Sequence, residues 1–220
     1  MRSLRFALVA ASLIASTAFA SPTDPKSGAE YLTLSAPQPV QTVGKKVEVI
    51  EFFMYHCPHC NALEPQLEQW VKKQGNNINF RRIHMPATGV NDPEAHLHLT
   101  LEAMGKAEEM QAKVFKAMHV DRIRLTSDEA IIDWVAKNGI DRTKFLDVWN
   151  SFGVMTKLRR APQVMNNYKI DGVPTLVIDG KYQTSPATVE NSVHATSEPQ
   201  LFTATLQVAD ALVSKAAKTK

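Results

Sequence analysis

The chain has 220 residues, a formal charge of +3 at neutral pH and two cysteines. A balance this close to neutral argues against nucleic acid or an anionic membrane surface as the main partner. The length is ample for a hydrophobic core without disulfide staples, so a lone cysteine pair is not required for stability.

The chain opens Met1-Arg2-Ser3-Leu4-Arg5, then runs apolar from Phe6 to Ile14 apart from Ser12, and reaches Ala18-Phe19-Ala20. A charged start, a short apolar stretch and small residues before a cleavage point are the layout of a secretory signal peptide over residues 1–20, cut after Ala20. Loss of Arg2 and Arg5 takes the charge from +3 to +1. The 200 residues left fit one domain with a large insertion or two small ones.

Residues 21–46 carry Pro22, Pro25, Pro37 and Pro39 and read as extended. Within them Tyr31 to Leu34 alternates enough for a short edge strand. Val47 to Tyr55 is β-branched and aromatic with little alternation, the pattern of a strand buried on both faces. Glu51 is the anomaly inside it. It is either solvated at the strand edge or a buried acid behind the residues that follow, and burial would demand pairing or protonation.

Those residues are Cys57-Pro58-His59-Cys60, the only cysteines in the chain. A C-x-x-C pair at a strand-to-helix junction is the arrangement of a thiol–disulfide redox site. Pro58 suits the first helical position, where its missing N–H would be unpaired anyway. Cys57 then falls at the N-cap, facing unpaired backbone N–H groups. Cys60, Leu63, Leu67 and Trp70 share one helix face, so Cys60 is expected inside and Cys57 exposed. Pro65 is expected to kink the helix, and Lys72, Lys73 and Gly75 to end it.

Ile78 to Met85 reads as a second core strand. A helical block follows from Asn91 to about Asn166. Asp92-Pro93-Glu94 caps its first helix and Gly105 closes it; Met110, Val114 and Met118 mark the second. Ser127 caps the third, which Asn138-Gly139 ends, Asp141 caps the fourth, and the fifth runs from Val154 to Tyr168 across Pro162. Thr175 to Ile178, Asp179-Gly180 and Lys181 to Thr184 read as a hairpin. Ser197-Glu198-Pro199-Gln200 has the form of a capping box opening a last helix. This order gives an α/β chain, a thioredoxin fold with an inserted helical subdomain: residues 21–85 form its first part, 86–168 the insertion and 169–220 its second part.

Glu51-Phe52-Phe53-Met54-Tyr55-His56-Cys57-Pro58-His59-Cys60, taken with Gly172-Val173-Pro174-Thr175, resembles the DsbA family of periplasmic disulfide oxidases, over essentially the whole chain after residue 20. The resemblance implies a cis bond at Val173-Pro174, a loop there packed against the cysteines, and a role for Glu51 behind them. It implies periplasmic location, no bound cofactor, and unfolded secreted proteins with free cysteines as substrates. It also implies a quinone-linked membrane reoxidase of the DsbB type. Val173, Pro174 and His56 are the candidate substrate contacts. The chain departs from better-known members at His56, a second imidazole beside the site that bears on its pH dependence.

The thiolate is the reactive form of cysteine. Helix N-terminal N–H groups and an imidazolium at His59 both favour the Cys57 anion, hence the reduced form, which makes the disulfide a strong oxidant. Three rival readings are set against this one. A structural zinc site needs four ligands, and no second C-x-x-C or H-x-x-x-H is present. A thiol reductase or disulfide isomerase on the same fold stays open. A merely structural disulfide closing so small a loop would stabilise little. Elsewhere, Trp70, Trp134 and Trp149 read as core, Met110 and Met118 as packing, and Arg81-Arg82 and Arg159-Arg160 as solvated or salt-bridged. His84, His119 and His194 have no partner visible in sequence.

Overall fold

A computed structural model describes residues 22–42 and 44–220, so the expected signal peptide at 1–20 lies outside the described residues. Five strands form one sheet: β1 (Leu32–Thr33), β2 (Val47–Phe53), β3 (Ile78–His84), β4 (Thr175–Ile178) and β5 (Tyr182–Thr184), in the order β1-β5-β4-β2-β3. β2 and β3 pair in parallel, with Glu51 opposite Arg82, and the other pairings are antiparallel. α1 (Pro58–Gln74) makes the crossover between β2 and β3. All seven residues of β2 are buried, as expected of a strand covered on both faces.

The two faces of β2 have different neighbours because its side chains alternate. Val47 and Val49 join Leu63, Leu67 and Trp70 of α1 in one apolar cluster with α8 (Glu198–Ala217). Ile50 and Phe52 point the other way, toward Met165 and Tyr168 of α6 (Phe152–Tyr168). Glu48, read at first only as part of an apolar run, is a second buried carboxylate in this strand. It accepts from the Gln41 N–H at 2.8 Å and from Arg81 at 3.3 Å.

Between β3 and β4 stand α2 (Pro93–Ala103), α3 (Ala107–His119), α4 (Asp128–Lys137), α5 (Arg142–Trp149) and α6. Asp92, Ser127 and Asp141 cap three of them by accepting from the third following N–H, as their positions before the apolar repeats require. α2 to α5 close around Phe53, Tyr55, Leu97, Met110, Phe115 and Phe145, and Cys57 and Cys60 belong to the same cluster. The insertion is thus packed onto the end of β2 from which the redox motif leaves.

The β4–β5 hairpin turns at Asp179-Gly180, both at positive φ. Gly180 is obligatory for a second reason: a Cβ there would stand 2.2 Å from the Gln38 carbonyl oxygen. The end of the chain adds one helix and corrects one expectation. α7 (Pro186–Glu190), capped by Ser185, was not foreseen. Ser197 is the N-cap of α8 but makes no side-chain cap bond, and Gln200 accepts from the N–H and hydroxyl of Thr196 and not from the Ser197 N–H. α1 also continues as one helix through Pro65 and ends at Gly75.

Candidate active site

Cys57 is the N-cap of α1, in extended backbone conformation (φ −75, ψ 117), with Pro58 at the first helical position. Its carbonyl accepts the first helical bond, from the Asn61 N–H at 3.1 Å. Its sulfur lies 3.6 Å from the carbonyl oxygen of Val173, to which the protonated thiol can donate. The Val173-Pro174 bond is cis, and the loop before β4 stands against Cys57 through that contact. One expectation fails: Cys57 is not exposed, with 7% of its surface accessible. The Val173 loop and the cluster of α2 to α5 cover the end of the helix. Cys60, as expected, is fully buried.

The two thiols are driven apart in acidity. The Cys57 thiol is lowered to about 6, first by the hydrogen bond from the Cys60 thiol. Burial opposes this, and the backbone N–H groups of Cys60 and His59 and the His59 charge add to it. The Cys60 thiol is pushed far above its ordinary range by burial, then by its bond to Cys57 and by the charges of Cys57 and Glu51. The reduced pair at neutral pH is therefore a Cys57 thiolate beside a Cys60 thiol, both free of a disulfide in this structure.

His59 does not stand alone. Its Nδ1 is 2.5 Å from Glu198 Oε1 at the start of α8, a contact across 139 residues of sequence. That hydrogen bond raises the His59 pKa against a smaller opposing effect of burial. The imidazolium is therefore held at the mouth of the site by a partner that sequence spacing gives no means of finding. His59 and Glu198 line a cleft of about 620 Å³ together with Val173, Pro174 and Phe202.

Behind the cysteines, Glu51 is fully buried, which excludes the solvated alternative. Its cation is Arg82, which donates to Glu51 at 2.9 Å, to Glu64 of α1 at 2.6 Å and to both oxygens of Glu108 at 2.6 and 2.8 Å. Arg82 also lies 4.9 Å from the centre of the Phe80 ring. One guanidinium thus faces two buried carboxylates and one largely exposed one. Charge balance leaves one proton to be held by the buried pair. Burial accordingly raises Glu51 to about 8 despite Arg82, and Glu64 to about 7. Glu51 Oε1 and Glu64 Oε2 are buried without a hydrogen-bond partner, which leaves a place for that proton. Arg82 is salt-bridged, one of the two readings that its sequence allows, but its carboxylate partners are not named there, although an acid in one buried strand beside an arginine in its parallel neighbour is a readable signal.

His84 and His119, two of the histidines without a partner visible in sequence, meet at Tyr55 together with His98, while His194 lies elsewhere. The Tyr55 N–H donates to His84 Nε2 at 3.1 Å, its carbonyl lies 2.7 Å from His119 Nε2 and its hydroxyl 3.3 Å from His98 Nδ1. His98 is held neutral, burial taking it down to about 3. His96 faces elsewhere, stacked on Trp149 at 3.4 Å. His56 is tied to α2: Glu94 Oε2 accepts from its N–H at 3.2 Å and sits 2.7 Å from its Nδ1. Burial of Glu94 is outweighed by the hydrogen bonds of His84 and His56, so its pKa is lowered and it stays ionised.

Residues 48–196 match the model of the DSBA-like thioredoxin domain. The thiol:disulfide interchange protein DsbA of Burkholderia cepacia is 41% identical over 191 residues, covering 87% of this chain and 90% of that protein. The protein of the same name from Pseudomonas syringae is 38% identical over 210 residues, covering 95% and 92%. The crystal structure of Pseudomonas aeruginosa DsbA superposes with a TM-score of 0.76 at 35% identity, over 90% of this chain and 98% of that one. A family model that covers residues 48–196, a relative 41% identical over most of both chains and a TM-score of 0.76 show that the chain belongs to the DSBA-like thioredoxin domain family.

Proposed function

We propose that this protein is a thiol:disulfide oxidoreductase that passes the Cys57–Cys60 disulfide to reduced cysteines of newly secreted proteins. The observation that carries this is the split between the two sulfurs: one belongs to the N-cap residue of α1 and lies 3.6 Å from the Val173 carbonyl, and the other is fully buried on the helix face.

A substrate thiolate attacks the Cys57 sulfur of the disulfide. A substrate–Cys57 bond forms, the Cys57–Cys60 bond breaks, and the electron pair goes to Cys60. The burial that raises the Cys60 pKa makes a lasting anion there costly, so Cys60 takes a proton. Glu51, with its pKa raised to about 8, holds one at neutral pH and is assigned as its source. A second substrate thiolate then attacks the substrate sulfur and expels Cys57 as the thiolate, which Cys60, backbone N–H groups and His59 stabilise. Two electrons have moved from substrate to enzyme with no bound cofactor. Pro58 keeps the first turn of α1 free of an N–H that would lack a partner. Val173 and Pro174 precede β4 and offer the backbone edge along which an extended substrate can lie, with His56 on the other side of Cys57.

A thiolate-stabilised reduced form favours donation of the disulfide over reduction of substrates, which ranks the oxidase above the reductase or isomerase. Reoxidation falls to a quinone-linked membrane protein of the DsbB type, and the periplasm is the compartment where such a disulfide persists. Residues 21–85 and 169–220 form the redox domain and 86–168 its cover. The test is trapping. Cys60→Ala accumulates mixed disulfides with secreted proteins and Cys57→Ala accumulates few, while wild type oxidises peptides faster than it reduces insulin. Equal trapping by both variants, or insulin reduction as the dominant activity, would overturn the proposal.

A further inference from the structure

At His56 a second cleft, of about 760 Å³, opens between the β3–α2 loop and the segment joining α3 to α4. His56, His119, Arg122 and Arg124 line it, and it shares no lining residue with the His59–Val173 cleft. The turn from His56 to His59 borders both clefts, with Cys57 between.

The charge in this cleft is unbalanced. Its carboxylates are turned inward and occupied: Asp92 accepts from the N–H groups of Thr88 and Ala95 and from the Thr88 hydroxyl, and Glu94 accepts from His56. Asp121, next in sequence, is held by Lys116 at 2.6 Å. Arg122 and Arg124 are exposed, and neither guanidinium has a hydrogen-bond or ion-pair partner among the described residues. Arg122 also has φ 56, a left-handed conformation that costs an ordinary side chain roughly 1–2 kcal/mol and falls to glycine or asparagine where only a helix end has to be turned. A strained backbone carrying an unpaired cation at the rim of a cleft points to something the cation meets.

We propose that this cleft binds an acidic segment flanking the substrate's reactive cysteine, with Arg122 and Arg124 as specificity-determining residues that take its carboxylates. The proposal rests on the oxidase reading and names a substrate class for it. The chemistry at sulfur is unchanged. The cleft acts on encounter and on the lifetime of the mixed-disulfide complex, through charge pairs that salt screens.

The test uses the full oxidised protein and reduced two-cysteine peptides that differ only in a short flanking run of Glu, Gln or Lys, placed before or after the cysteine. The wild-type protein is expected to oxidise one of the Glu peptides about tenfold faster than its Gln counterpart at low ionic strength, the order two exposed charge pairs supply. The Lys peptide is expected to be slowest. The advantage disappears in Arg122→Gln/Arg124→Gln, survives in Arg122→Lys/Arg124→Lys and shrinks in high salt. Comparing protein variants on one peptide cancels the effect of flanking charge on the peptide's own thiol. The Gln double variant is expected to oxidise the Gln peptide at the wild-type rate. Equal Glu preference in wild type and the Gln double variant would overturn the proposal, as would a loss on all peptides alike. If wild type left the Gln peptide reduced, the oxidase reading itself would fall and this proposal with it.

Discussion

Glu51→Gln isolates the proton held behind the cysteines. In the folded protein Glu51 has a pKa of about 8 against an ordinary 4.5, so the fold binds a proton there that the unfolded chain has released. A group raised in this way contributes stability that is full below 4.5 and is lost as pH climbs through about 8. At 1.36 kcal/mol per pH unit the gap sets a ceiling of about 5 kcal/mol, and sharing of the proton with Glu64, itself raised to about 7, divides that sum between two residues. Gln keeps an oxygen for the Arg82 N–H but cannot titrate. It also leaves Glu64 as the sole buried anion beside Arg82, so Glu64 ionises more readily. Both effects flatten the profile. The assay is urea unfolding of the oxidised protein from pH 5 to pH 8, where neither cysteine titrates. Measured against Glu51→Gln, in which the buried histidines titrate alike, wild type is expected to lose up to a few kcal/mol more across that range. Identical slopes would show that Glu51 is ionised in the fold and holds no proton for Cys60.

Two further predictions follow from the same contacts. Arg82→Met removes the cation from two buried carboxylates and is expected to cost about 3–5 kcal/mol in urea unfolding at neutral pH; a loss under about 1 kcal/mol would mean that the acids need no counter-charge. His59→Ala removes the imidazolium and His59→Pro removes also the backbone N–H that stabilises the Cys57 anion, so a glutathione titration should place both variants at more reducing potentials, Pro further than Ala. Each ~30 mV corresponds to ~1.4 kcal/mol between the two forms, and the order Ala beyond Pro, or no shift in either, would contradict that assignment.

Sequence made the frame of this molecule legible because its signals are local. Cys57 and Pro58 fall at the N-cap and first turn of α1, Asp92-Pro93 opens α2 and Asp179-Gly180 turns the hairpin, each through backbone chemistry within four residues. What sequence left open is set by pairing across space. The partners of Arg82 lie 18, 26 and 31 residues away and meet only once the β2–β3 register is fixed. The His59–Glu198 contact and the histidine shell of Tyr55 depend on how α8 and the insertion dock. The burial of Cys57 has the same origin: its own helix leaves it at an open end, and the Val173 loop, 116 residues away, covers it. α7 was missed because five residues give too little periodicity to register.

The central claim is that the fold stabilises the Cys57 thiolate, and so the reduced state, while keeping Cys60 protonated. Ultraviolet thiolate absorbance of the reduced protein against pH measures this directly, with Cys57→Ser and Cys60→Ser assigning the signal. One thiol is expected to ionise with a midpoint near 6, to vanish in Cys57→Ser, and to be followed by no second ionisation in the neutral range. A first midpoint near the ordinary thiol value of about 8.5, or two thiols ionising together, would contradict the account.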